Sequence, residues 1–319
     1  MLLEKKIEYL NSGIDKNKYM KEMFETHKHL FEYPALTKNS PIQKIEITSE
    51  QVIFTICNAN NSIMICCDER DAHALPMSYL NFSVYEADES DMILRLIKPG
   101  DVVFDIGANI GWYTLNILME HKGTLVYSFE PIKSSYQYLI KNLILNNQNT
   151  DKAYNFGLSD KNKTVKFYFD IECAMASSMA NLREGEDTVM VECEIKRLDD
   201  FVSSMLSFEK LDFIKCDVEG AELYVFRGGI ETIKKYKPIV FSEILRKWSK
   251  KFGYHPNDII NLFRSIDYEC YVINNDKIEK FGYVDDDTIQ TNYLFFHKEK
   301  HVDIIKNLSA KKSDNLEND

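Results

Sequence analysis

Four acidic residues in this 319-residue sequence stand where a short apolar run stops: Asp105, Glu130, Asp217 and Glu243, with Glu219 two positions past Asp217. Runs such as Val102 to Phe104, bounded by turn signals, fit strands covered on both faces. In an open α/β sheet, ligands sit beyond the carboxyl ends of the strands, so these acids are expected to face one crevice. After Asp105 comes Gly107-Ala108-Asn109-Ile110-Gly111, poor in side chains and able to turn sharply against a ligand before a helix opens. Glu130, 25 positions after Asp105, is placed to accept hydrogen bonds from both hydroxyls of a ribose. The loop is not the usual pyrophosphate cradle, because Asn109 stands at the middle glycine and Gly111 comes one residue early. Asp105 would repel a pyrophosphate, yet it suits a cofactor that carries positive charge.

The elements that must position these groups alternate. A helix at Gly111 to Glu120 presents Trp112, Leu115 and Met119 on one face, a strand at Thr124 to Phe129 ends at Glu130-Pro131, and Tyr136, Leu139, Ile140 and Leu143 mark a second helix. Ala153 to Leu158 reads as a further strand, which brings Gly157, Leu158 and Ser159 to its end. Two period-two runs, Val165 to Phe169 and Val189 to Ile195, flank the weakly patterned Glu172 to Asp187, with Met175, Ser177, Ser178 and Met179; this reads as an inserted β-excursion or lid. Alternation resumes at Phe213 to Asp217 and Pro238 to Glu243, and Tyr268 to Ile273 with Tyr293 to Phe296 form a closing antiparallel pair. Ahead of this core, residues 2 to 33 read as one or two outer helices and Lys44 to Cys67 as a small antiparallel sheet. Asp68 to Ser83 reads first as a connecting loop and second as one that folds over a pocket, and the tail from Glu299 as a charged or frayed helix. His27 and His29, at i and i+2 on a helix, point to different faces and do not make a ligand pair.

Composition limits the partners. With 45% hydrophobic residues the chain can bury a sizeable core, and 39 basic against 50 acidic side chains give a net charge of −11, which disfavours nucleic acid. Seven cysteines without a C-x-x-C pair read as reduced thiols of a cytoplasmic protein, and the N-terminus lacks the apolar core of a signal peptide. No run approaches the ~20 apolar residues of a membrane span.

Asp105-Ile106-Gly107-Ala108-Asn109-Ile110-Gly111, Glu130-Pro131, Asp217-Val218-Glu219-Gly220-Ala221-Glu222 and Pro238-Ile239-Val240-Phe241-Ser242-Glu243, with the lead-in Tyr85-Glu86, together resemble the S-adenosylmethionine (SAM)-dependent methyltransferases of the FkbM type. The resemblance covers residues 85 to 297. It implies an α/β, Rossmann-like class I fold with a seven-stranded, mostly parallel sheet whose last strand is antiparallel. It divides the chain into an N-terminal α/β appendage over 1–84, a methyltransferase domain over 85–298 and a charged tail over 299–319. It also places SAM on Asp105, Gly107, Ala108, Asn109 and Gly111, with Trp112 and Thr114 following the loop, Glu130 on the ribose, and Gly157, Leu158 and Ser159 beside the adenine.

Asp217 is then the expected base, with Glu219 and Glu243 sharing that role or orienting the acceptor; no metal is expected, although converging carboxylates suit Mg²⁺. Glu222 reads as a helix-N-terminal acid and His255 as a loop residue. The sequence lacks the Asn-Pro-Pro-Tyr of amino-group methylases, so oxygen is the expected acceptor atom. The resemblance supports a carbohydrate hydroxyl, on a cell-surface glycan such as capsule polysaccharide or on its nucleotide-sugar precursor. The alternatives are a small natural product, or an RNA or protein acceptor met by Lys234, Lys235, Lys237, Arg246, Lys247, Lys250 and Lys251. A homodimer is compatible with this reading.

Overall fold

The computed structural model describes residues 2–58, 61–170, 188–206 and 208–309. The segment Glu172 to Asp187, with Met175, Ser177, Ser178 and Met179, therefore lies outside the described residues.

Helices α1 (Leu2–Leu10), α2 (Lys16–His27) and α3 (Tyr33–Thr37) come first, and no residue of theirs is buried. Strands β1 (Ile42–Ile47), β2 (Val52–Asn58) and β3 (Asn61–Ile65) form an antiparallel sheet in which Phe54 faces Ile65 and Ile56 faces Ile63. The segment read as a connecting loop holds a helix, α4 (Leu75–Phe82). Pro76 occupies its first turn, where a missing N–H costs nothing, and Leu75 and Tyr79, one turn apart, face inward. A helix of eight residues opened by proline carries too little periodicity to be seen beforehand. α5 (Ala87–Leu96) follows and buries Met92, Ile93 and Leu96.

The central sheet then begins with β4 (Val102–Ile106), α6 (Trp112–Glu120), β5 (Leu125–Phe129), α7 (Lys133–Leu145) and β6 (Ala153–Tyr154). The expected strand over Ala153 to Leu158 is broken. Asn155 Nδ2 donates to the carbonyls of Glu130 (2.9 Å) and Pro131 (3.1 Å), and β7 (Gly157–Ser159) leaves for a second sheet. There it pairs in parallel with β9 (Thr188–Arg197), which in turn pairs antiparallel with β8 (Lys163–Asp170). The chain continues through α8 (Leu198–Ser204), β10 (Phe213–Cys216), α9 (Glu222–Gly228), α10 (Ile230–Tyr236), β11 (Ile239–Glu243), α11 (Arg246–Lys251) and α12 (Pro256–Arg264). It closes with β12 (Tyr268–Asn274), β13 (Lys277–Phe281), β14 (Asn292–His297) and α13 (Val302–Ser309).

Among the described residues the main sheet runs β13-β12-β14-β11-β10-β4-β5-β6, with β14 antiparallel to both neighbours. The expected seven strands are present and β13 adds an eighth. Asn275 at φ 55 and Asp276 make a two-residue turn that folds Lys277–Phe281 back along β12 as a hairpin edge. Alternate residues of β4 feed two cores: Val103 packs with the α6 and α7 side, and Val102, Phe104 and Ile106 with the opposite one. Phe54, Ile56, Ile63 and Ile65 belong to the first of these cores. No helix among the described residues is long and apolar enough to cross a membrane.

One buried amide stitches the small sheet to the crevice. Asn142 Oδ1 accepts from the Cys66 N–H (2.8 Å), while its Nδ2 donates to the carbonyls of Cys66 (3.0 Å) and Ile110 (2.9 Å). Asn142→Ala leaves these backbone groups without partners. It is expected to lower stability by about 3 kcal/mol in denaturant unfolding, since each buried unpaired group costs roughly 1–3 kcal/mol.

Candidate active site

The crevice opens where β4 ends. Gly107 has φ 81, and a Cβ there would lie 1.8 Å from the Asp217 carbonyl oxygen, so only glycine lets the turns after β4 and β10 touch. The N–H groups of Gly107 and Ala108 donate to the Phe129 carbonyl at 3.0 and 3.1 Å, binding the turn to β5. Glu130 completes it: Oε2 accepts from the Asn109 N–H (2.9 Å) and Oε1 from the Ile132 N–H (2.8 Å). Burial nevertheless pushes the Glu130 carboxyl up to about 7, because two backbone donors offset only part of the lost hydration.

The opposite wall is acidic. Asp217 follows β10, Glu219 sits at φ 53 in the next turn, and Glu243 ends β11; one oxygen from each lies within 4.8 Å of the others. That spacing would also admit a divalent cation. Burial and the charge of Asp217 push Glu219 up to about 9 and Glu243 up to about 10. Glu86 is likewise raised by burial, although it accepts a 2.5 Å hydrogen bond from Tyr113 Oη. Lys215 lies among these groups. Its Nζ donates to the Gly107 carbonyl (3.0 Å), stands 3.4 Å from Asp217 Oδ2 and 3.8 Å from Asp105 Oδ1, and lies 5.1 Å from the Tyr113 ring centre. Burial pulls its pKa down, but Asp217, Asp105 and Glu86 more than offset that and hold the ammonium above its ordinary value.

These walls enclose a cavity of about 370 Å³, within the ~300–1,000 Å³ usual for small-ligand sites. Gly107, Ala108, Asn109, Trp112, Glu130, Gly157, Leu158, Asp217, Glu219 and Glu243 all line it. Asp105, Gly111, Thr114 and Ser159 stand behind the lining. Thr114 Oγ1 donates to Asp105 Oδ2 (2.6 Å) and lies 2.7 Å from Ser128 Oγ, so Asp105 braces the loop from beneath; Gly111 backs onto Leu139. Sequence reasoning missed Lys215 and Tyr113, and it noted Glu86 without giving it a role. The available signal was a lysine inside the otherwise apolar run 213–216. Asp71, His73, Ala74 and Leu75 also border the cavity, so the segment read as a connection closes one side of it.

Glu222 opens α9 but turns back: Oε1 accepts from the N–H groups of Val218 (3.2 Å) and Gly220 (2.9 Å), shaping the turn that carries Glu219. His255 caps α12, its Nδ1 accepting from the Asn257 N–H at 3.3 Å. Of the basic residues singled out, Lys247 lines the cavity, beside Trp248, whereas Lys234 pairs with Glu231 and Arg246 with Asp286.

Residues 105–270 match a family model described as the methyltransferase FkbM domain. Methyltransferase 1 of Beauveria bassiana is 28% identical over 142 residues, covering 40% of this chain and 57% of that protein. 2-O-methyltransferase NoeI of Sinorhizobium fredii is 27% identical over 157 residues, covering 45% of this chain and 63% of that protein. The chain thus spans less than two thirds of the length of these relatives. A solved structure, methyltransferase FkbM from Methylobacillus flagellatus KT, aligns at 19% identity with a TM-score of 0.42, over 72% of this chain and 55% of that one.

A carboxyl that keeps its proton to higher pH when folded binds more protons folded than unfolded, so its contribution to stability is lost as pH rises. For Glu243 that loss runs from about 4.5 to about 10. Glu243→Gln keeps the shape and removes the ionisation. It is expected to raise Tm at pH 8.5 by at least about 2–4 °C, the shift that about 1 kcal/mol gives in a domain of this size, and to change it little at pH 5. Equal shifts at both pH values in thermal melts would contradict the raised Glu243 carboxyl.

Proposed function

We propose that this chain, which belongs to the FkbM methyltransferase family, transfers a methyl group from SAM to a hydroxyl of a carbohydrate. The observation that carries the proposal is one cavity with Glu130 and the Gly107–Asn109 turn on one wall and the Asp217, Glu219 and Glu243 carboxyls on another. SAM, when bound, supplies an electrophilic methyl group on a sulfonium.

The residues present fit that cofactor. Asn109 Oδ1 and Trp112 Nε1 are buried on the cavity wall without a hydrogen-bond partner among the described residues, an acceptor and a donor that a polar ligand would satisfy. Each Glu130 oxygen holds a single backbone hydrogen bond and retains capacity for a ribose hydroxyl. An acid-rich wall favours a cation over a pyrophosphate.

Asp217 takes the acceptor's hydroxyl proton, with the Lys215 ammonium 3.4 Å from its Oδ2. Glu219 and Glu243, which hold protons at neutral pH, can donate as well as accept hydrogen bonds. Sugar hydroxyls need both, which favours a neutral polyhydroxylated acceptor over an anionic one. Oxygen as the acceptor atom is supported by the 2-O-methyltransferase relative. An RNA or protein acceptor has less support, since Lys234 and Arg246 are engaged in ion pairs with acidic neighbours.

Calorimetry is expected to show SAM binding and no NAD binding; the reverse would end the methyltransferase reading. On an acceptor found by screening nucleotide sugars and glycans, Asp217→Asn is expected to cut kcat by about 10²–10⁴-fold, the usual weight of a positioned base, while SAM affinity stays within about threefold. Near-normal turnover would remove Asp217 from that role. Chelator treatment is expected to leave turnover unchanged; loss restored by Mg²⁺ would assign the three carboxylates to a cation.

A further inference from the structure

Lys215 is the one buried lysine or arginine among the described residues, 3% exposed in the middle of the sheet. Taking an ammonium out of water costs several kcal/mol unless anions and hydrogen bonds replace the hydration. Here they come from both sides of the crevice. Gly107, in the turn after β4, offers its carbonyl at 3.0 Å; Asp217, beyond β10 itself, offers Oδ2 at 3.4 Å; Asp105, beneath the turn, offers Oδ1 at 3.8 Å, an oxygen with no hydrogen-bond partner among the described residues. Tyr113, whose ring lies near the ammonium, passes the connection to Glu86 through its hydroxyl. A lysine that served only to neutralise Asp217 would need no bond to the turn, and one that served only to brace the turn would need no carboxylates.

We propose that Lys215 is a positioning residue that joins the cofactor turn to the acidic wall and sets the charge of the cavity that receives SAM. The proposal rests on the SAM reading above. Its hydrogen bond to Gly107 fixes the first peptide of the turn, and its ion pair with Asp217 fixes that carboxylate relative to the same peptide. Its positive charge also sets how strongly the cavity prefers a sulfonium over the neutral thioether of S-adenosylhomocysteine. Charge interactions act across a low-dielectric wall without direct contact, so this holds wherever in the cavity the sulfur comes to rest.

The test uses the full chain, with SAM and S-adenosylhomocysteine as calorimetric probes and circular dichroism melts to establish folding. Lys215→Met removes charge and donor; Lys215→Arg keeps the charge. For Lys215→Met, both Kd values are expected to rise at least tenfold because the turn is no longer pinned. S-adenosylhomocysteine should lose at least threefold more than SAM, because a cavity with one positive charge fewer favours the cation. Lys215→Arg is expected to return the ratio of the two Kd values to within twofold of the unaltered chain. A purely structural role would weaken both ligands by one common factor, and that result overturns the proposal, as do unchanged affinities. Failure of both variants to fold would make Lys215 a stability element and likewise overturns it. If the unaltered chain binds neither probe, the SAM reading itself fails, an outcome distinct from the others.

Discussion

Like charges crowded at the carboxyl ends of parallel strands set the terms for this fold. The order β11-β10-β4-β5 brings Glu243, Asp217, Asp105 and Glu130 to one edge, and the turn after β10 adds Glu219. In a wall of low dielectric these groups cannot all be ionised at ordinary cost. Three devices answer the problem in three places. Glu130 receives two backbone N–H groups, Asp217 and Asp105 share the Lys215 ammonium, and Glu219 and Glu243 keep protons well above the normal carboxylate range.

The rest of the architecture holds those devices in register. The contact between Gly107 and the Asp217 carbonyl tolerates no side chain, so the turn after β4 and the turn that carries the acid groups are one packed unit. Behind it Thr114 ties Asp105 to Ser128, which joins α6 to β4 and β5. From the other side Asn142 links α7, the three-stranded sheet and the Ile110 carbonyl. The small sheet thereby supports the helix and loop from which the cavity is built.

Much of this was legible in the sequence because apolar runs in doubly covered strands end abruptly. The positions of Asp105, Glu130, Asp217 and Glu243 follow from where Val, Ile and Phe stop. What escaped depends on contacts between distant segments. Nothing local marks residues 157–159 as leaving the main sheet for β9; Asn155, bonded to the chain at Glu130 and Pro131, makes the break. Helix α4 escaped because one buried turn carries little periodicity. Lys215 could have been flagged as a charge inside a buried strand, but its partners Gly107 and Asp105 lie over a hundred positions away. The placement of Asp105 beneath the turn also required the structure, since a residue at a strand end can face the ligand or the helix below.

That last distinction bears on what the crevice can hold. If Asp105 faced the cavity it could answer a ligand's ammonium directly; buried beneath the turn, it acts on the cavity through Lys215 and Thr114. The acid surplus on the wall itself then falls to Glu86, Asp217, Glu219 and Glu243, set against Lys215 and the exposed Lys247. A ligand with a positive centre relieves this surplus, lowers the upward shift of Glu219 and Glu243, and lets one of them release a proton as it binds. A pyrophosphate would do the opposite, pushing the same carboxyls further up and facing the Asp217 charge with no gain. The electrostatics of the wall therefore favour a cationic cofactor, while the glycine spacing separately disfavours a dinucleotide.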